Sequence, residues 1–265
     1  MSWEELEEKC FRYFCKEYGE YSQFQHTGGP NSNVPDIRAI PYHGGKFYIE
    51  VKEKEAQCGQ FVLIPNAESR TFLYSKENKE RPNIHSRRII KCMNEFFDDY
   101  ANAGTAGEVI NLGSEGQDVF GNWIVNKYAE QGVRLITTED FLIFPLERFK
   151  DYFTISATYR AKRSGSSHVA KSRIEIVRSY LSHKFGVSSF VVEGKEGLYF
   201  EGVPGTICKR FTIGGREYML PDRDGLCEVR QLSNTYNSNV IFSISLKPNH
   251  PGGLSFKEVA SYFLQ

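Results

Sequence analysis

Trp3, Leu6, Cys10, Tyr13 and Phe14 recur at the spacing of one helix face, so the pattern predicts that the chain opens with an amphipathic helix. Glu7 borders that apolar stripe, where a carboxylate can look inward along an adjoining sheet. Gly28-Gly29-Pro30-Asn31 breaks the chain. Two strand-like segments follow, 34–40 and 46–52, separated by Pro41-Tyr42-His43-Gly44-Gly45, a hairpin signal. A second helix is predicted over 86–100, with Ile89, Ile90, Met93, Phe96, Phe97 and Tyr100 facing inward, and a third over 119–130, stopped by Gly132. Residues 141–144 read as a buried strand. Beyond residue 151 the pattern shifts to shorter strands and turns: 157–162 extended, 169–185 helical with Gly186 closing it, then strands around Phe190, Leu198, Phe211, Tyr218 and Cys227. Residues 240–246 alternate cleanly. The fold class expected is α+β with an α/β core. A mixed sheet flanked by helices would occupy 1–150, and a sheet-rich region 151–265, with an inserted third subdomain over about 174–228.

Residues 46–52, Lys-Phe-Tyr-Ile-Glu-Val-Lys, alternate with period two. Phe47, Ile49 and Val51 face one way, and Tyr48, Glu50 and Lys52 the other, so one strand presents a carboxylate and an ammonium side by side. Pro35-Asp36 supplies a second carboxylate from the preceding strand. Two carboxylates converging from neighbouring strands can hold a hard divalent cation through oxygen. Asp36, Glu50 and the Val51 carbonyl are the expected ligands, for Mg²⁺ or Mn²⁺ in its place. Such a cation would polarise a phosphodiester and acidify a water, while Lys52 orients that water and offsets charge on the phosphorane. The competing reading of Glu50 and Lys52 is a surface ion pair. Geometry sets a condition: a two-residue turn at Gly44-Gly45 would put Asp36 opposite Glu53, on the wrong face, because a one-residue slip flips every side chain. The chemistry therefore requires an odd-length loop, or a bulge at Pro41.

Composition narrows the classes. With 265 residues, 40% of them hydrophobic, the chain can bury a sizeable core. Its six cysteines form no CxxC pair, which argues against a structural zinc site and for reduced thiols in a cytoplasmic protein. The start, Met1-Ser2-Trp3-Glu4-Glu5, lacks the basic and apolar regions of a signal peptide, and no apolar run approaches membrane-spanning length. Net charge is zero, but its distribution is uneven. Arg81, Arg87, Arg88 and Lys91 form one acid-free stretch, and Arg160, Lys162, Arg163, Lys171 and Arg173 another. Each is a solvated face or a phosphate-binding surface.

The Asp…Glu-x-Lys arrangement, Pro35-Asp36 with Glu50-Val51-Lys52, resembles the PD-(D/E)XK nuclease superfamily. That resemblance implies that Glu7 is an accessory metal ligand and that Gln57 or Gln60 touches a water or phosphate. Residues 47–52 with 57–66, Thr158–Ser166 and Ser233–Lys247 together look like the HhaI-type restriction endonucleases, in order along the chain, with the greatest divergence over about 174–228. What the resemblance implies is double-stranded DNA cleavage at the palindrome GCGC, a cognate cytosine methyltransferase as functional partner, a monomer, and a prokaryotic cytoplasm. Reading GCGC needs donors for guanine and acceptors for cytosine in the major groove. Candidates are Arg160, Lys162 and Arg163 with Ser164, Ser166 and His168, and Asn234, Tyr236, Asn237 and Asn239; Arg87 and Arg88 are candidates for phosphate. Asn-rich turns also satisfy their own backbone, and basic residues also contact only phosphate. The rival functions are a structure-selective repair nuclease or junction resolvase of the same fold, and a non-catalytic DNA-binding protein.

Overall fold

The computed structural model describes residues 2–28, 34–191, 197–203, 205–207, 209–223 and 225–265. The Gly29-Pro30-Asn31 break and Cys208 lie outside them. The chain runs through α1 (Trp3–Tyr18), β1 (Ser22–His26), β2 (Ile37–Pro41), β3 (Phe47–Lys52), β4 (Glu55–Asn66) and β5 (Thr71–Tyr74). Next come α2 (Ile84–Glu95), α3 (Phe97–Ala101), β6 (Glu108–Val109), α4 (Gly116–Glu130), β7 (Val133–Thr138), β8 (Ile143–Pro145), α5 (Phe149–Tyr152) and β9 (Phe153–Arg163). Then follow β10 (Ser166–His168), α6 (Ile174–Phe185), β11 (Tyr199–Glu201), β12 (Arg210–Ile213), β13 (Arg216–Met219), β14 (Asp222–Arg223), β15 (Leu226–Glu228) and β16 (Arg230–Leu232). β17 (Tyr236–Leu246) and α7 (Phe256–Tyr262) complete the order.

Two compact units result, one of residues 1–160 with 238–265, the other of 161–237. This differs from a division at 150. The strand expected over 157–162 begins at Phe153, and β17 pairs with β4, so the C-terminal segment returns to the first unit. Nor does 174–228 stand apart, because Val169, Val177, Leu181, Tyr218 and Val229 share one core.

The first unit holds two sheets, β1-β2-β3-β7-β8 and β5-β4-β17-β9-β6. In the first, β1, β2 and β3 are antiparallel while β3 and β7 run parallel, so the sheet is mixed. The alternation in β3 sorts its two faces. Phe47, Ile49 and Val51 join Leu6, Cys10 and Phe14 of α1 and Phe263 in one core, while Tyr48 packs against a second core containing Trp123 and Tyr128 of α4. Each large side chain so buried contributes about 1.5–3 kcal/mol. α1 begins where Ser2 and Glu5 form a capping box, Glu5 N donating to Ser2 Oγ at 3.2 Å and Ser2 N to Glu5 Oε2 at 2.7 Å. The helix expected over 86–100 is interrupted at Phe96 (φ −118°, ψ 42°), giving α2 and α3. α4 ends as expected before Gly132, whose φ of 81° suits glycine.

The second unit has sheets β10-β16-β13-β12 and β11-β15-β14. Its helix begins at Ile174 rather than 169 and is closed by Gly186 at φ 69°. Among the described residues no helix is long and apolar enough to cross a membrane.

Candidate active site

The β2–β3 register decides whether the acidic residues can meet. Ile37 pairs with Ile49, Arg38 with Tyr48 and Ala39 with Phe47, so the connection 40–46 has an odd number of residues. Continuing that register by one step puts Asp36 opposite Glu50. No bulge occurs at Pro41, which pairs with Ser22 in an unbroken β1–β2 ladder. Asp36 sits just ahead of β2, and its Oδ2 accepts the Val51 N–H at 2.8 Å. It is thereby tied to the strand that carries Glu50 and Lys52.

Lys52 Nζ donates to Glu50 Oε1 at 2.6 Å, and both side chains are nearly buried, 12% and 9% exposed. A surface ion pair is therefore excluded. Burial pulls the Lys52 pKa down, but the negative charge of Glu50 and its hydrogen bond outweigh it and hold the amine above the ordinary lysine value. Lys52 is an ammonium.

Glu7, on α1, lines the same cavity as Asp36. Burial is the main cause that pushes Glu7 up to about 7, with Glu50 adding to it. Burial and then Glu50 push Asp36 up to about 8. His26 Nε2 lies 3.2 Å from Glu7 Oε2 and its Nδ1 3.4 Å from Glu8 Oε2, while its ring stacks on Phe11. Gly28 leaves room for this carboxyl, since a Cβ there would lie 2.0 Å from Glu7 Oε2. Glu7, Asp36, Val51, Lys52 and Gln57 line a cavity of about 280 Å³ together with Trp3, Leu6, Glu53 and Ala56.

Among the described residues no three His, Cys, Asp or Glu side chains form a ready-made metal cage. The donor set nevertheless fits a hard divalent cation: carboxyl groups close together, oxygen donors throughout, and two pKa values raised by burial and by the neighbouring Glu50 charge. Asp36, Glu50, Glu7 and the Val51 carbonyl are the groups that would hold it.

A pH effect follows. Unfolded carboxyls titrate near 4, whereas Glu7 and Asp36 titrate at about 7 and about 8 in the folded chain. Across that window the native state binds more protons than the unfolded one, so stability falls as pH rises. The Tm of metal-stripped protein should therefore be lower at about pH 8 than at about pH 5.5, and Mg²⁺ should restore it at the higher pH. A Tm that ignores both pH and cation would sink this reading of the pair.

The remaining candidates divide. Gln57 reaches the cavity, whereas Gln60, three residues on along β4, is exposed and does not line it. Arg87 is exposed and lines a groove with Arg70 and Lys91, while Arg88 Nε is bonded to Glu115 Oε2 at 2.9 Å. Arg160 and Lys162 are half-buried. In the second unit the two expected recognition segments come together. Ser164 N donates to Thr235 O at 3.0 Å and Ser233 N to Gly165 O at 2.9 Å, and Ser164 Oγ also meets the hydroxyls of Ser233 and Thr235. Arg163 donates to Tyr236 Oη at 2.9 Å and pairs with Glu217 at 2.8 Å. Ser166, His168, Asn234, Tyr236 and Asn237 are exposed. His168 Nδ1 lies 3.0 Å from the buried Glu228. Asn239 does not join them: it is 3% exposed, opposite Val62 inside the β17–β4 ladder, where a base edge cannot reach it.

Two neighbours of the site residues, His26 beside Glu7 and Tyr128 beside Lys52, are marked by no motif in the sequence. Tyr128 Oη is 3.5 Å from Cys58 Sγ, and Lys52 Nζ lies 5.3 Å from its ring centroid. Tyr128 and Lys52 are separated by 76 positions, so no local pattern could pair them.

No family model and no curated protein matches the chain. Among solved structures, HhaI endonuclease in complex with DNA is similar to it, with a TM-score of 0.82 and 36% sequence identity over 99% of this chain and 98% of that one. With that identity over essentially its whole length, the chain belongs to the family of HhaI-type restriction endonucleases, site-specific type II nucleases.

Proposed function

We propose that the chain hydrolyses double-stranded DNA at GCGC, with Mg²⁺ as its metal and Asp36, Glu50 and Lys52 as its catalytic groups. The observation that carries the chemistry is the bond of Asp36 to Val51 in a cavity that Lys52 also lines, with Lys52 paired to the adjoining Glu50. Glu7 is the accessory carboxylate and Gln57 an amide at the cavity wall that can hold a phosphate oxygen. When bound, the divalent cation would polarise the phosphate and lower the pKa of the attacking water. Lys52, fully charged, orients that water and offsets the negative charge that builds on phosphorus. Attack in line with the 3′ oxygen forms the new P–O bond as the P–O3′ bond breaks, leaving a 5′-phosphate and, after proton uptake, a 3′-hydroxyl.

Recognition is assigned to the exposed surface of Ser164, Ser166, His168, Asn234, Tyr236 and Asn237, supported by their adjacency in the second unit. Arg160, Lys162 and Arg163 are of the type that donates to guanine, and Arg87 of the type that grips phosphate. The enzyme acts as a monomer in the prokaryotic cytoplasm, with a cytosine methyltransferase protecting host sites.

Sequencing the ends of fragments made from a plasmid of known sequence with Mg²⁺ tests this. Ends confined to GCGC sites are expected. A smear, or ends at another sequence, would remove the assigned target.

A further inference from the structure

The lysine at the cutting centre has a long, four-carbon stem, and something must keep its ammonium in one place. Glu50 is one contact, at 2.6 Å. In the working site Glu50 is also claimed as a metal ligand, so a second support for the amine is needed that does not compete for the cation. The Tyr128 ring is placed to be that support. Lys52 Nζ lies 5.3 Å from its centroid, within the range at which an ammonium is attracted by a ring face.

The ring itself is well held. Tyr128 lies in the last turn of α4 and is only 5% exposed, and its hydroxyl reaches the fully buried Cys58 of β4 at 3.5 Å. α4 packs closely on β4 at Gly59, where a Cβ would come within 2.7 Å of Trp123. The close approach, at a glycine with φ of 103°, sets the helix that carries Tyr128 against the strand that follows β3. Lys127 also approaches this ring, at 5.7 Å.

We propose that the face of the Tyr128 ring seats the Lys52 ammonium for the cutting step, which makes Tyr128 a positioning residue of the hydrolytic centre. The inference rests on the reading of Lys52 as the catalytic amine. Its signature is electronic: what matters is the negative ring face, and the hydroxyl and the volume matter little.

The test is to replace Tyr128 with phenylalanine and then with mono-, di- and trifluorinated phenylalanines, which keep the shape and progressively drain the ring face. Cutting of plasmid DNA at saturation, DNA affinity without metal, and Tm are measured for each, in the native and the Lys127→Gln backgrounds. Tyr128→Phe should cut within about twofold of the native enzyme. Fluorination should lower kcat stepwise, to about tenfold for the trifluorinated ring, with affinity and Tm unchanged in both backgrounds. A flat series would overturn the proposal, as would a Tyr128→Phe variant as slow as the trifluorinated one. Lys52→Ala separates the two levels. If that variant is inactive while the series is flat, only the role of Tyr128 falls; if it cuts at the native rate, the reading of Lys52 falls first.

Discussion

Lys52→Ala should cut DNA about a thousandfold more slowly than the native chain, at the upper end of what loss of one transition-state donor costs, while binding DNA as tightly. The reasoning is electrostatic. Lys52 is nearly buried, paired to Glu50 and held as an ammonium, so it contributes a fixed positive charge where negative charge grows. DNA affinity comes from many contacts to phosphate and bases, of which a single enclosed amine can supply few. A stability cost accompanies the change, because Glu50 loses its partner inside the protein, an effect of about 3–5 kcal/mol for a fully buried pair and less where some exposure remains. Rates are therefore to be compared well below the variant's Tm. A folded Lys52→Ala chain that cuts at the native rate would remove the lysine from the mechanism.

Asp36→Asn separates chemistry from stability in the opposite sense. Asparagine keeps a carbonyl oxygen that can accept the Val51 N–H now bonded to Asp36 Oδ2, so the link between the strands persists. What goes is a half-buried carboxyl whose pKa is pushed up to about 8 by desolvation and by Glu50. Metal-free Asp36→Asn should therefore melt higher than the native chain at about pH 8, and the difference should shrink as pH falls toward the ordinary carboxyl range. Cutting should drop more than about a hundredfold, the loss expected for a direct ligand when even outer-shell partners cost 10–100-fold. The Tm gain given by Mg²⁺ should shrink with it. A variant that is less stable without metal, or that keeps its full response to the cation, would mean that Asp36 is a structural acid.

The parts of the fold written in local periodicity were legible. α1 is carried by Leu6, Cys10 and Phe14, and the two faces of β3 by strict alternation, and both lie where the pattern puts them, although Trp3 at the start of the stripe is exposed. What depends on pairing between distant segments was not. β7 (Val-Arg-Leu-Ile-Thr-Thr) is the parallel partner of β3, yet it follows α4 with only a glycine turn to announce it. β1 carries a single large apolar residue, Phe24, too few to show alternation. The return of 238–265 to the first unit rests on β17 pairing with β4, some 180 residues upstream.

The site divides in the same way. Glu50, Lys52 and Asp36 could be named from a strand pattern, but whether they meet hung on one residue of loop length, which Gly44-Gly45 alone misjudges. Arg163 reads as a free cation in a basic run until the fold brings Glu217 to it. Asn239 reads as one more turn amide until β17 is seen to begin before it, which buries it. Polarity is visible along a chain; burial is a property of the pairing.

If the carboxylates beside β3 hold a divalent cation, anomalous diffraction from crystals of the chain soaked in Mn²⁺ should show a peak bounded by Asp36, Glu50 and the Val51 carbonyl, lost in Asp36→Asn crystals. Mn²⁺ bound elsewhere, in a protein whose cutting nevertheless requires it, would mean that these residues are not the metal site.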